Sequence, residues 1–175
     1  MSNVTHQAHP MAITDRMRHG GPALLARISE RATGWLAQHS IAVLRISLGL
    51  VFLGFGALKF IPGASPAEEL AVRTLETLSF GVLSGQAALL ATAVAECFIG
   101  ITLVTGRLLR TGLAVLAASL VGIMSPLVLF FADLFPGAPT LEAQYVLKDI
   151  VLIAAGLVVA AGAMGARLVA TRHGH

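Results

Sequence analysis

Glu96 lies in the middle of a long apolar run, Ala87 to Val104, that is otherwise suited to crossing a bilayer. A carboxylate at that depth costs about 2.5–3.5 kcal/mol even on the lenient insertion scale, so it needs a partner or a task. Depth suggests the partner. Arg45 and Arg107 mark the ends of two neighbouring apolar runs. At 1.5 Å per residue, Lys59 stands roughly 21 Å above Arg45 and Glu96 roughly 16 Å above Arg107. A lysine bending inward reaches the acid, and buried charges are tolerated when paired. Lys148 and Asp149 open a later apolar run at about the level of Lys59, with Tyr145 and Asp133 in the same region. Successive helical residues point about 100° apart, so only one of Lys148 and Asp149 faces a bundle centre easily. The chemistry open to such a set is proton exchange by a carboxylate–amine pair. The plainer reading is an ion pair that locks helix register.

Pro126 is the other irregularity within an apolar run. A proline inside a helix removes a hydrogen bond and kinks it. It stands roughly 24 Å above Arg110, so the freed carbonyl and Ser125 are candidates for lining a polar cavity near Glu96. Met124 reads as a core filler. The single cysteine, Cys97, excludes any disulfide or C-x-x-C pair within the chain and reads as a small apolar residue. All six histidines (His6, His9, His19, His39, His173 and His175) fall outside the apolar runs, which excludes a bis-histidine haem site in the bilayer. No Cys/His cluster has metal-ligand spacing, and neither a P-loop nor a Rossmann glycine motif occurs. We expect no metal site and no covalently held cofactor.

The elements that position these residues follow from composition. The chain has 175 residues, 56% hydrophobic and only 12% charged. Soluble domains average about 25% charged residues, so the solvent here is a bilayer. Four runs reach the roughly 17–25 residues a spanning helix requires: 41–60, 86–105, 111–134 and 146–169. The expected fold is an all-α integral membrane four-helix bundle over residues 41–170. Nine of the twelve basic residues (Arg16, Arg18, Arg27, Arg31, Arg45, Arg107, Arg110, Arg167 and Arg172) fall on one side of it, against Lys59, Arg73 and Lys148 on the other. Basic residues near span ends collect on the cytoplasmic face, which places both termini inside, N-in and C-in. The basic face suits anionic lipid rather than nucleic acid. The polar start has no short apolar segment of the signal-peptide kind, so the first span is expected to act as its own insertion signal.

Residues 1–40 read as a cytoplasmic arm, polar and disordered to about residue 21, then an amphipathic interfacial helix ending near Trp35. Its apolar stripe is Leu24, Leu25, Ile28, Ala32, Trp35 and Leu36, suited to lying on the inner leaflet. Trp35, Arg45, Arg107 and Arg110 are candidate interfacial anchors. Residues 171–175 form a cytoplasmic tail. In the long outer loop, Ser65-Pro66-Ala67-Glu68 has the form of a capping box with proline at the first helical position. A short outer amphipathic helix should follow, with Leu70, Ala71, Leu75 and Leu78 on one face, resting at the outer membrane surface or covering the mouth between spans. Gly49, Gly54, Gly56, Gly122, Gly156, Gly162 and Gly165 read as positions for close helix contact.

The stretch Arg45-Ile46-Ser47-Leu48-Gly49-Leu50-Val51-Phe52-Leu53-Gly54-Phe55-Gly56-Ala57-Leu58-Lys59-Phe60 resembles the first span of DoxX-like bacterial membrane proteins, particularly their YkgB/RclC-like branch. Glu96, followed by Gly100 and Gly106-Arg107, resembles that group's second span. Leu141-Glu142-Ala143-Gln144-Tyr145-Val146-Leu147-Lys148-Asp149 is similar to the opening of its fourth. The resemblance covers about residues 41–165. This first span has no tryptophan, where relatives often carry one before the Phe-Gly pair. The resemblance implies a bacterial inner-membrane protein in redox chemistry: thiosulfate–quinone oxidation, redox-defence complexes or reactive-chlorine tolerance. Arg45, Lys59, Glu96, Lys148 and Asp149 are the residues it carries over.

Three functions remain open on the sequence. The first is a redox-associated accessory subunit with a quinone headgroup near Glu96, Lys59 and Tyr145, and a soluble partner supplying electrons. The second is a small transporter or proton-conducting bundle, which requires a homo-oligomer because four spans rarely enclose a pathway. The third is an assembly factor whose charges only fix packing.

Overall fold

The computed structural model describes residues 12–61, 63–65 and 68–169, with side chains described from Leu24 onward. Expectations for residues 1–11, for Pro66 and Ala67 of the capping box, and for the tail 171–175 lie outside the described residues. Regular structure among the described residues is entirely helical. In chain order the helices are α1 (Ala12–Leu58), α2 (Glu68–Leu78), α3 (Gly85–Thr105), α4 (Leu109–Met124), α5 (Pro126–Leu129), α6 (Phe131–Leu134), α7 (Leu141–Lys148) and α8 (Ile150–Ala163). Four stretches are long and apolar enough to span: Leu24–Leu58, Gly85–Thr105, Leu109–Leu129 and Leu141–Ala163. In lipid every backbone polar group must be bonded internally, and a helix does this within one segment. Val94, Ile101, Val121, Val128, Val151 and Leu157 are exposed on these spans. On a soluble protein that surface would aggregate; here it faces acyl chains. The chain is a multi-pass membrane protein built as a four-helix bundle.

Several boundaries differ from the sequence reading. The helix begins at Ala12, within the segment expected to be disordered, and continues into the first span without a break. Extending an existing helix adds one hydrogen bond per residue fixed, so even weak helix formers are carried along. The third span, expected to kink at Pro126 and run on to residue 134, is interrupted at Ser125, next to that proline, and again at Phe130. The fourth begins earlier and ends earlier than expected: α7 starts after Thr140, whose hydroxyl accepts from Ala143 N at 3.1 Å, and α8 stops before Gly165 at φ +102°. A threonine N-cap and a glycine at positive φ are strong local terminators that outrank the apolar run beyond them. Between α3 and α4 the turn is made by Gly106 at φ +72°, its N–H donating to Thr102 O at 2.9 Å.

By internal contacts the chain divides into two units, residues 41–167 and residues up to 40 together with those from 168. In the smaller unit Trp35 stacks on His39 with ring centroids 5.0 Å apart. The larger unit carries two apolar clusters. Leu48 and Phe52 of α1, Ile99 and Leu103 of α3, Leu116 and Leu120 of α4 and Val159 of α8 form the first. Leu70, Leu134, Ala143 and Val146 form the second, where α2 meets the ends of the third and fourth spans.

Glycines decide how closely α1 and α3 approach. A Cβ on Gly56 would sit 2.9 Å from Cys97 N, and one on Gly100 would sit 2.7 Å from Leu53 N. One on Gly49 would lie 2.9 Å from the Leu103 side chain. At Gly56 and Gly100 the helix backbones approach so closely that only glycine fits. Gly54, Gly122 and Gly165, expected to pack in the same way, have open space around them. Gly122 borders a cavity, and Gly165 follows the end of α8.

Candidate functional site

Arg45, Gly49, Phe52, Gly56 and Lys59 recur at intervals of four, three, four and three residues, which places them on one face of α1. That face meets α3. At its lower end Arg45 Nη1 donates to Leu103 O at 2.5 Å, in the last turn of α3. The last carbonyls of a helix lack backbone donors and carry partial negative charge, so a guanidinium there satisfies both. Arg45 is therefore tied between helices, where a free anchor at the lipid interface was expected.

At the upper end α1 stops, and Lys59 follows in a turn closed by its N–H to Gly56 O at 3.2 Å. Its ammonium donates to Glu96 Oε2 at 2.6 Å, and both residues are 7% exposed. The pair that depth suggested is formed. Gly56 is what allows it: a side chain there would strike Cys97 and the Glu96 Cβ and drive the helices apart.

The pair borders a cavity of 520 Å³. Apolar walls come from Phe52 and Phe55 of α1, Leu75 and Leu78 of α2, and Ile123 and Leu152. Its charged lining is Lys59, Glu96, Lys148 and Asp149, with Tyr145 beside Lys148. Lys148 Nζ sits 3.6 Å from the Tyr145 ring centroid and 5.2 Å from that of Phe55, a cation held over two aromatic faces. Both Lys148 and Asp149 reach the cavity, although only one was expected to face inward, because the α7–α8 junction at Asp149 interrupts the regular helix between them. Formally the four charges cancel.

α2 contributes Leu70, Ala71, Thr74, Leu75 and Leu78 to the same cavity, as the expected apolar face of a covering helix would. It is held by Arg73, whose guanidinium bridges Asp133 Oδ2 at 2.8 Å and lies 4.0 Å above the Phe130 ring. Both charges are exposed, so the bridge contributes at most about 1 kcal/mol. At the start of α2, Glu68 reaches back to accept from Gly63 N at 3.2 Å.

Pro126 lines the cavity, whereas Ser125 does not. The carbonyl that Pro126 leaves without its usual donor is Gly122 O. Ser125 satisfies it through its hydroxyl at 2.7 Å and its N–H at 3.2 Å. No free carbonyl is therefore offered to the cavity at this point. Ser125 instead borders a second, almost wholly apolar hollow between α4 and α8, next to Met124. Arg107 and Arg110 are exposed at the α3–α4 turn, and Trp35 is exposed on α1.

Phe55 and Thr74 escaped the sequence reading. Phe55 stands four residues before Lys59 on the same helix face, and that spacing was the available signal. Thr74 is buried on α2 and spends its hydroxyl on Leu70 O at 2.6 Å. Nothing local marks it.

The family model described as DoxX matches residues 40–133. That range takes in Lys59 and Glu96 and ends before Tyr145, Lys148 and Asp149. No curated protein and no solved structure matches the chain.

Proposed function

The chain belongs to the DoxX family, and from that premise we propose that it is an accessory, quinone-associated subunit serving redox or oxidative-stress defence in the bacterial inner membrane. We assign it to the YkgB/RclC-like branch, inserted N-in and C-in. The observation that carries the reading is the cavity beside the Lys59–Glu96 pair. Its 520 Å³ lies within the range of about 300–1,000 Å³ usual for small-molecule sites. Apolar walls with a few polar groups suit a ring that bears oxygens and an isoprenoid tail.

A quinone, when bound, supplies two-electron chemistry coupled to proton uptake and release. The chain's own residues do the rest. Phe52, Phe55 and Leu152 exclude water and pack against the ring. Lys59 and Lys148 orient electronegative oxygens, and Glu96 and Asp149 balance their charge. Electrons come from or pass to a soluble partner, because the chain has a single thiol and no metal-ligand motif. Assembly into a homo-oligomer is compatible with this arrangement.

Purification in a mild detergent, followed by solvent extraction and mass spectrometry, tests the reading. We expect an isoprenoid quinone in the wild-type extract and its loss in Ala118→Trp, which fills the cavity from α4. A wild-type extract without quinone, or equal retention by the filled variant, overturns it.

A further inference from the structure

We propose that Asp149, and not Glu96, is the carboxylate through which this cavity takes up and releases protons, the Lys59–Glu96 pair serving as a fixed polar wall. The inference deepens the assignment of this cavity as the ligand site. It starts from how differently the two acids are held. Glu96 accepts from the Lys59 ammonium at 2.6 Å, and the side chains of the pair are 8% and 9% exposed. Asp149 is half-buried and lines the same cavity. Among the described residues its carboxylate makes no salt bridge and caps no backbone N–H of α8.

The consequence of adding a proton differs accordingly. On Glu96 it would deprive the buried Lys59 ammonium of its hydrogen-bonded counter-charge, and breaking a buried pair in this way is strongly unfavourable. On Asp149 the nearest cation left over is Lys148. That ammonium is exposed, and the faces of Tyr145 and Phe55 hold it independently of any carboxylate. Its charge survives the loss of Asp149's. A proton leaving a ligand hydroxyl therefore finds its acceptor in Asp149, the hydroxyl oxygen keeping the bonding pair. Onward transfer from Asp149 to water, which leaves as hydronium, restores the carboxylate.

The groups that face Asp149 are few. α1 and its closing turn bring Lys59, α3 brings Glu96, and α7 brings Tyr145 and Lys148. The lining residues of α2 (Leu70, Ala71, Thr74, Leu75 and Leu78) and of α4 (among them Ala118, Ser119 and Gly122) carry no charge. Asp149 is thus the one acid of the cavity that can change its charge without undoing a buried ion pair.

A lipid-soluble carbodiimide reacts with protonated carboxyls in apolar surroundings and leaves a stable adduct that peptide mass spectrometry locates. The wild-type protein in nanodiscs, without added ligand, is treated across a range of pH. We expect an adduct on Asp149 that declines as pH rises, with Glu96 unmodified, and loss of labelling in this region in D149N. Because the Asp149 side chain caps no backbone N–H, this near-isosteric variant leaves the start of α8 unchanged. An adduct on Glu96 in the wild type, or on neither acid, overturns the proposal. The labelling requires no quinone, so its result stands apart from the extraction experiment above.

Discussion

At the scale of single residues, the Lys59–Glu96 pair has opposite consequences depending on how it is removed. Glu96→Gln leaves an ammonium at 7% exposure with no counter-charge, and we expect it to destabilise the bundle by about 3–5 kcal/mol. Lys59→Met strands the carboxylate and should cost a similar amount. The double variant Lys59→Met/Glu96→Leu removes both desolvation penalties, and buried pairs replaced by apolar residues are often neutral or stabilising. Thermal unfolding in one detergent, followed by helical circular dichroism, compares the three. A double variant no more stable than either single would mean that the pair's hydrogen bond, rather than its charge balance, holds the site. Depth counted along two apolar runs was enough to propose this contact, because both helices cross the same slab and their basic ends supply a common zero. The surroundings were not legible. Arg45 looked like a lipid anchor because sequence gives its height and not its neighbour, and Ser125 was placed beside the wrong cavity because a kink has a direction that residue types do not encode.

At the scale of elements, the approach of α1 to α3 sets the position of the pair, and three glycines set the approach. Gly56→Ala would put a methyl group 2.9 Å from Cys97 N, an atom that cannot swing aside. Such overpacking typically costs about 1–3 kcal/mol, and here it also draws Lys59 away from Glu96. Gly54→Ala, two residues earlier with nothing within 4 Å, is the matched control and should change stability little. Equal changes from the two substitutions, measured by the same unfolding assay, would show that the close approach at Gly56 does not matter. Both glycines look alike in the sequence, since a small residue marks the possibility of contact and only the rotation of the helix decides which one makes it. Outside α1, which already runs from Ala12 through the arm, the span ends were legible to within about six residues. They moved where a cap intervened: Thr140 started α7 early, and Gly165 stopped the chain before the apolar run was spent.

At the scale of the whole molecule, the proposed N-in/C-in insertion rests on the distribution of basic residues and predicts which loops are reachable. With Cys97 replaced by Ala, a cysteine introduced at the exposed Gly137 should react with a membrane-impermeant maleimide in intact cells. One introduced at Arg107 should react only after permeabilisation, and the opposite pattern reverses the topology. The sequence by itself determined that this chain is a four-span helical membrane protein with one acid buried in a span, because hydropathy and the need to bond every peptide group in lipid leave no other architecture. It also limited the acid's partner to the few residues at the same height. The tertiary structure alone decided that the pair borders a cavity, and that Glu96 is tied to Lys59 while Asp149 makes no salt bridge among the described residues. Those outcomes depend on the angular setting of each helix about its own axis. Close packing at glycines and capping at the turns fix that setting, and an apolar run of any given length is compatible with every value of it.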